Sequence, residues 1–340
     1  MFGKTAVSRF ARLFLLFSPL VAWPASAEEA KPKQRAFRLD YGATLTGLPE
    51  GSQVRVWLPV PQTNEDQTVK ALDRKLPGRA SEAEEPKYGN RILSFTSAAP
   101  PSGEMTFSTA YEVARHEVRG LPGEMIGMGR KLTDEQKQLF LAAEKLVPTG
   151  GKSLDLIKGV ELPMEKLLAA RMLYDRVDDH MKYDKSQPGW GRGDVEWACD
   201  SRFGNCTDFH SLFISLARAQ GLPSRFEIGL SIPIERGKGA VTGYHCWAFF
   251  YLDGHGWVPV DISEADKDPS LKDYYFGRLT EDRVTFSVGR DLTLVPKQAG
   301  EPLNFFVHPY VEVDGKQWPN EKIKLQMAYQ DLDSQQGSKK

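Results

Sequence analysis

Cys206, His245 and Asp261 are the residues whose types and order along the chain could supply a nucleophile, a base and a carboxylate that orients the base. Cys206 follows Asn205, a residue type that caps helices, so we predict that the cysteine is the first residue of a helix. Amide groups and the helix dipole stabilise negative charge at this end, which favours the thiolate and allows the same amides to hold an oxyanion. The plainer alternative is a small buried cysteine, which is the commoner fate of this residue type.

The sequence between His245 and Asp261 predicts a hairpin that brings these two side chains to one face. Two predicted strands, 244–252 and 257–262, flank a turn of sequence Asp-Gly-His-Gly. Because side chains alternate between the faces of a sheet, the two residues share a face only if the loop has an odd number of residues. A three-residue loop places Asp261 opposite Trp247 and diagonal to His245. The carboxylate can then bind one imidazole nitrogen and leave the other for the thiol.

Hydrophobic periodicity predicts the elements that must position these residues. Apolar side chains at positions 209, 212, 213, 216 and 217 have helical spacing, and Gly221 and Pro223 end this helix. Earlier helices are predicted to begin after Thr133, which opens a capping box, and near Pro163. Residues 36–119 instead show alternating patterns separated by breaks rich in proline and glycine, which predicts a small antiparallel β-sandwich.

Four segments of the sequence make it recognisable. They are Phe203–His210 (FGNCTDFH), Gly221–Arg225 (GLPSR), Tyr244–Trp247 (YHCW) and Gly256–Asp261 (GWVPVD). The chain resembles the transglutaminase-like superfamily in these segments, and Asp282–Asp291 is similar to a stretch that follows them in bacterial members. The resemblance covers about residues 165–295.

The resemblance implies roles for the candidate residues. By it, Cys206 is the nucleophile, His245 the base and Asp261 the orienting residue, in a papain-like α+β core. Some animal relatives need calcium, but the sequence contains no loop of the EF-hand type, so we expect neither a metal nor another cofactor.

The predicted fold class is α+β. We expect an N-terminal β-sandwich at 36–119, then a transglutaminase-like domain at 120–328 with helices packed on an antiparallel sheet, and a disordered tail at 329–340. Residues 1–27 have a basic start, an apolar run of eleven residues and a final Ala-Ser-Ala, which is typical of a cleaved signal peptide. The mature protein is therefore expected to be exported, to a bacterial periplasm.

The composition excludes several classes of protein. The 340 residues are 41% apolar and 26% charged, as in ordinary globular proteins. With 44 basic and 45 acidic residues, the chain has no electrostatic footprint for nucleic acid. Three cysteines in an oxidising compartment leave at least one thiol outside any intramolecular disulfide. The expected partners are protein, peptide or cell-wall peptide substrates, without stable membrane insertion after signal cleavage.

The leading hypothesis is an exported thiol enzyme that attacks amide or isopeptide carbonyls and passes through a thioester, with water or an amine as acceptor. One alternative is a papain-type peptidase or an acetyltransferase with the same triad order. Another is a catalytically silent module of the same superfamily that binds peptides or cell-wall fragments. A third is a zinc site, although its candidate ligands do not have the spacing of paired zinc knuckles. Those candidates are Cys199, Cys206, His210, His245 and Cys246.

Overall fold

A computed structural model describes residues 31–123 and 131–332, together with Met1. The predicted signal peptide at 1–27 lies outside the described residues apart from Met1. The helices are α1 (Asp134–Leu141), α2 (Lys166–His180), α3 (Val195–Ser201), α4 (Cys206–Ala219) and α5 (Ile262–Lys267). Short 3-10 helices occupy Gly151–Ile157, Pro269–Leu271 and Asn320–Lys322.

Eighteen strands are assigned within the described residues. In chain order they are β1 (Gln34–Leu45), β2 (Gln53–Val60), β3 (Gln67–Lys75), β4 (Ala80–Glu84), β5 (Arg91–Ala98), β6 (Met105–His116), β7 (Val118–Arg119), β8 (Lys182–Tyr183), β9 (Phe203–Gly204), β10 (Ser224–Ser231), β11 (Lys238–Ala240), β12 (Tyr244–Leu252), β13 (Gly256–Val260), β14 (Arg278–Leu279), β15 (Arg283–Val288), β16 (Tyr310–Val313), β17 (Lys316–Gln317) and β18 (Ile323–Asp331).

A four-stranded antiparallel sheet carries the predicted site. Its strand order is β13-β12-β10-β15, and α4 packs against β12 and β10. All residues of α4 from Cys206 to Arg218 are buried, because α2 and α3 cover the side of the helix that the sheet does not. Helices packed on an antiparallel sheet confirm the predicted α+β class.

Two five-stranded antiparallel sheets form the predicted sandwich. Their orders are β11-β18-β1-β6-β3 and β17-β16-β2-β5-β4. Apolar side chains alternate inward along these strands, and Phe95 of β5 meets Phe107 of β6 edge-to-face with ring centroids 5.4 Å apart.

The sandwich was predicted at residues 36–119, but it extends beyond them. Strands from the C-terminal part of the chain complete both sheets. Strand β18 pairs with β1 along nine residues, and β16 pairs with β2. Residues 329–331 of the predicted disordered tail therefore belong to a strand, whereas 333–340 lie outside the described residues. Periodicity identifies a strand but carries no information about which distant strand it pairs with, so it did not predict that strands beyond residue 120 join the sandwich.

The sandwich holds the outer strand of the four-stranded sheet through amide side chains. Gln67 accepts from the Thr285 backbone N–H at 2.8 Å and donates to the Thr285 carbonyl at 2.9 Å. Asn90 makes the same pair of bonds with Val288, at 2.7 and 2.8 Å. These bonds satisfy backbone groups that the edge strand β15 would otherwise expose.

Within 31–123 and 131–332, none of the helices has the length and hydropathy that a membrane crossing requires.

Candidate active site

Cys206 is the first residue of α4, as predicted. The Asn205 side-chain oxygen accepts from the Thr207 backbone N–H at 2.9 Å, and the Asp208 carboxylate accepts from the Asn205 backbone N–H at 2.9 Å. These reciprocal bonds form a capping box that fixes where the helix begins. At this position the Cys206 N–H has no acceptor within its own helix, so it is available to an oxyanion formed on an attacked carbonyl.

Asp208 also anchors the glycine-rich loop in front of the helix. Its two carboxylate oxygens accept from the backbone N–H groups of Gly191 at 2.7 Å and Gly193 at 2.9 Å. Burial raises the pKa of Asp208, and its bonds to three backbone N–H groups oppose that rise. A side chain at Gly204 would place its Cβ 2.5 Å from the carboxylate, so only glycine allows this close approach. The loop and the helix start are therefore held together by one buried acid.

His245 and Asp261 meet as the hairpin argument predicted. Leu252 pairs with Gly256 across a three-residue loop, and the register continues to the pair Ala248–Val260. His245 Nε2 lies 2.7 Å from Asp261 Oδ2. Asp261 does not belong to the strand, however, because it ends the ladder and caps α5.

The two oxygens of Asp261 have separate sets of donors. Oδ1 accepts from the Ser263 hydroxyl at 3.0 Å and from the Glu264 backbone N–H at 3.2 Å. Oδ2 accepts from His245 and from Arg283 Nη1, the latter at 2.9 Å. Burial raises the pKa of Asp261, but His245 and Arg283 hold that pKa well below its usual range. Asp261 is therefore an ionised carboxylate with no solvent exposure.

The pKa values of Cys206 and His245 are shifted in opposite directions, in part by their interaction with each other. Since Nε2 of His245 is bonded to Asp261, Nδ1 is the ring nitrogen left for the thiol. Burial raises the pKa of Cys206, but hydrogen bonds with Cys246 and His245 and the charge of His245 lower it well below its usual range. Burial lowers the pKa of His245, but Asp261 and Cys206 raise it to about 10. The arrangement thus favours a thiolate next to an imidazolium at neutral pH.

His210 lies beneath this pair and is fully buried. Its Nε2 accepts from the Ile262 backbone N–H at 3.1 Å, so its proton is on Nδ1. Burial lowers the pKa of His210 to about 4, and the ring is therefore neutral even though it lies 3.6 Å from Asp261. From the sequence, this residue was a candidate zinc ligand only. In the structure it joins the start of α4 to the start of α5.

All three cysteines are free thiols. The Cys246 sulfur lies 3.7 Å from Thr207 Oγ1 and 3.7 Å from His210 Nδ1, so it faces α4, and burial raises its pKa well above the usual value. Burial also raises the pKa of Cys199, to about 11. Of the three, only Cys206 has a lowered pKa.

Aromatic residues surround the start of α4. The Tyr244 hydroxyl accepts from the Asn205 side-chain amide at 2.9 Å, and its ring lies 5.7 Å from that of Phe305. The Trp190 indole N–H donates to the Lys185 carbonyl at 3.0 Å, so this N–H already has an acceptor. Trp197 packs edge-on against Phe203, with ring centroids 5.3 Å apart.

Potential metal ligands converge around His245 and Asp261. In the described part of the chain, ligand atoms of His245, Asp261 and Glu264 lie within 4.8 Å of one another. Two of them are already hydrogen-bonded to each other, Arg283 bonds the same Asp261 oxygen, and Lys267 lies 2.6 Å from the Glu264 carboxylate. Two neighbouring cations oppose a bound metal ion, so the donor set fits proton transfer better than metal binding.

Comparisons with known proteins found similar sequences and folds. Residues 155–262 match the family model described as the transglutaminase-like superfamily. An uncharacterized protein of Haemophilus influenzae is 30% identical over 312 residues, which are 79% of this chain and 83% of that protein. The structure of a proposed cysteine protease from Cytophaga hutchinsonii superimposes with a TM-score of 0.53 at 16% identity, covering 88% of this chain and 98% of that one. The periplasmic domain of TgpA from Pseudomonas aeruginosa has a TM-score of only 0.36 at 14% identity, covering 70% and 90% of the two chains.

The fold and the matched segment thus define a protein with an α+β core, in which helices pack on an antiparallel sheet. The chain belongs to the transglutaminase-like superfamily.

Proposed function

We propose that this protein is an exported thiol enzyme that attacks amide or isopeptide carbonyls with Cys206. The observation that carries the proposal is the contiguous arrangement of a helix-terminal thiol with a lowered pKa, an imidazole, and a buried carboxylate 2.7 Å from that imidazole. Each residue of this set has the role that the chemistry requires: Cys206 as nucleophile, His245 as base and acid, and Asp261 as the orienting group.

In the proposed reaction the Cys206 thiolate adds to the carbonyl carbon. The developing oxyanion is stabilised at the start of α4, where the Cys206 N–H is available. His245 then gives its Nδ1 proton to the leaving nitrogen, the C–N bond breaks, and a thioester remains on Cys206. Water or a second amine attacks the thioester, His245 takes the proton from that acceptor, and the acyl group leaves the sulfur. Asp261 stays ionised and stabilises the imidazolium.

The proposed location follows from the signal-peptide pattern at 1–27. An exported enzyme of this kind meets proteins, peptides and the peptides of the cell wall, which are the proposed substrate class.

The test is mass spectrometry of peptide amides incubated with the mature protein, with and without an added amine. Release of ammonia or cleavage identifies hydrolysis, and incorporation of the amine identifies transfer. Cys206→Ala should abolish either product, whereas Cys199→Ala, which alters a thiol without a lowered pKa, should retain it. Turnover that survives in Cys206→Ala would refute the assignment. Absence of turnover, combined with alkylation of Cys206 no faster than an ordinary thiol, would instead support the catalytically silent binding module.

A further inference from the structure

Arg283 is a buried cation that touches the triad but belongs to none of the three predicted roles. It begins β15, is 3% exposed, and donates through Nη1 to Asp261 Oδ2, the oxygen that also accepts from His245. Its other contacts hold the guanidinium in place: Nη2 lies 3.4 Å from Thr280 Oγ1, and its carbon lies 4.9 Å from the centre of the Trp247 ring. A guanidinium keeps its charge at every pH relevant to an enzyme.

The charges of the site balance only if Arg283 is counted. A thiolate at Cys206, an imidazolium at His245 and a carboxylate at Asp261 leave one net negative charge in a region where all three residues are buried. An uncompensated buried charge is costly, and the site would relieve it by binding a proton at the carboxylate or at the thiolate. Arg283 supplies the fourth charge and brings the sum to zero.

The other titratable groups around Asp261 do not provide this charge. His210 of α4 is neutral, as shown above. On α5 the Glu264 carboxylate is paired with Lys267, so their charges offset each other. Burial raises the pKa values of three further groups and keeps them neutral; these are Cys246 of β12, Tyr174 of α2 and Tyr275.

We propose that Arg283 is a positioning residue that keeps Asp261 ionised and oriented, and thereby sets the pH range over which the Cys206–His245 ion pair exists. This inference rests on the proposed function, but it concerns the charge state of the site, which can be measured without turnover. Removing a positive charge makes the local potential more negative and raises the pKa of every nearby group. The pH profile of Arg283→Gln should therefore move to higher pH at both its acidic and its basic limb. A merely structural role would lower the rate without moving the profile.

The experiment measures the rate of Cys206 alkylation by iodoacetamide as a function of pH. Arg283→Gln should shift the midpoint of the acidic limb upward by at least about one pH unit, a tenfold loss of thiolate below that midpoint. Arg283→Lys keeps the charge and loses the planar fork, so it should keep the wild-type midpoint even if its turnover falls. The matched control is Arg218→Gln, another buried arginine (4% exposed), which lies on α4 about 18 Å along the helix from Cys206 and pairs with Glu144. It should leave the midpoint unchanged.

An unchanged midpoint in a folded Arg283→Gln protein would overturn the inference. If that variant does not fold, Arg283→Lys decides, because a midpoint displaced by a lysine that retains the charge would equally refute charge compensation. In an Asp261→Asn background, Arg283→Gln should cause a smaller shift than in the native background, since the carboxylate charge that Arg283 maintains is already absent. Wild-type protein that shows the low-pH alkylation and the Arg283 shift, yet turns over no amide, would refute the proposed function and leave this inference standing.

Discussion

Replacing Asp261 by asparagine is expected to lower amide turnover by orders of magnitude while preserving the fold. The two carboxylate oxygens accept from four donors, and an asparagine side chain has only one oxygen. If that oxygen stays with Ser263 and Glu264, the amide NH₂ faces His245 and the Arg283 guanidinium. A neutral His245 could then accept from the amide at Nε2, which requires its own proton to be on Nδ1. Nδ1 would then be unable to accept the proton of the Cys206 thiol. The pair would be held in the wrong protonation state.

The size of the effect follows from the electrostatics of His245. Raising the pKa of His245 from 6.5 to about 10 corresponds to stabilising its protonated form by about 5 kcal/mol relative to its neutral form. The charge of Asp261 is the largest contribution that raises this pKa. Burial acts in the opposite direction, so without that charge the pKa of His245 should fall below its ordinary value. The population of the thiolate–imidazolium pair at pH 7, and with it turnover, should fall by about 10²- to 10⁴-fold.

The assay pairs turnover of a peptide amide with the pH dependence of Cys206 alkylation. Asp282→Asn is the control, because Asp282 is a largely buried carboxylate (9% exposed) that accepts from Arg35 at 2.7 Å and Arg236 at 3.0 Å and does not contact Asp261 or His245. It should keep near-native turnover. Thermal unfolding shows whether each variant is folded. Turnover of folded Asp261→Asn within threefold of wild type would refute the argument that this charge stabilises the imidazolium.

Three further outcomes are expected. The lowered pKa of Cys206 means that its thiolate persists as pH falls below the usual cysteine range, so its alkylation should stay fast at pH 6. Alkylation of an ordinary thiol slows about tenfold per pH unit below its pKa. A tenfold loss of the Cys206 alkylation rate between pH 8 and 7 would contradict this prediction. Thiol counting on denatured, unreduced protein should find three thiols, and a count of one would show a disulfide that the structure does not contain. Gly204→Ala should destabilise the protein by about 1–3 kcal/mol, because the new side chain would displace Asp208. The control is Gly243→Ala, whose side chain would enter open space and should change the unfolding temperature little. Equal effects of the two substitutions would show that the close approach of Gly204 to Asp208 is unimportant.

Features of the site that depend on short stretches of chain could be predicted from the sequence. The start of α4 follows from Asn205 and Asp208, because a capping box needs only residues three apart. The meeting of His245 with Asp261 follows from the parity of a three-residue loop, because strand side chains alternate with a fixed period. The start of α4 and the contact between His245 and Asp261 could therefore be predicted without the tertiary structure.

Contacts that join distant parts of the chain could not be predicted and were found in the folded structure. Periodicity could not show that β18 pairs with β1, because one strand pattern can pair with many others. Parity places Cys246 and His245 on opposite faces of a strand, but only the packing of α4 on β12 sets the Cys246 sulfur against Thr207 and His210. An arginine beginning an apolar strand was the one signal for Arg283. Its partner depended on how the fold places the start of β15 relative to Asp261, because β15 is at the opposite edge of the sheet from β13. Burying a charge requires a counter-charge but does not specify which one.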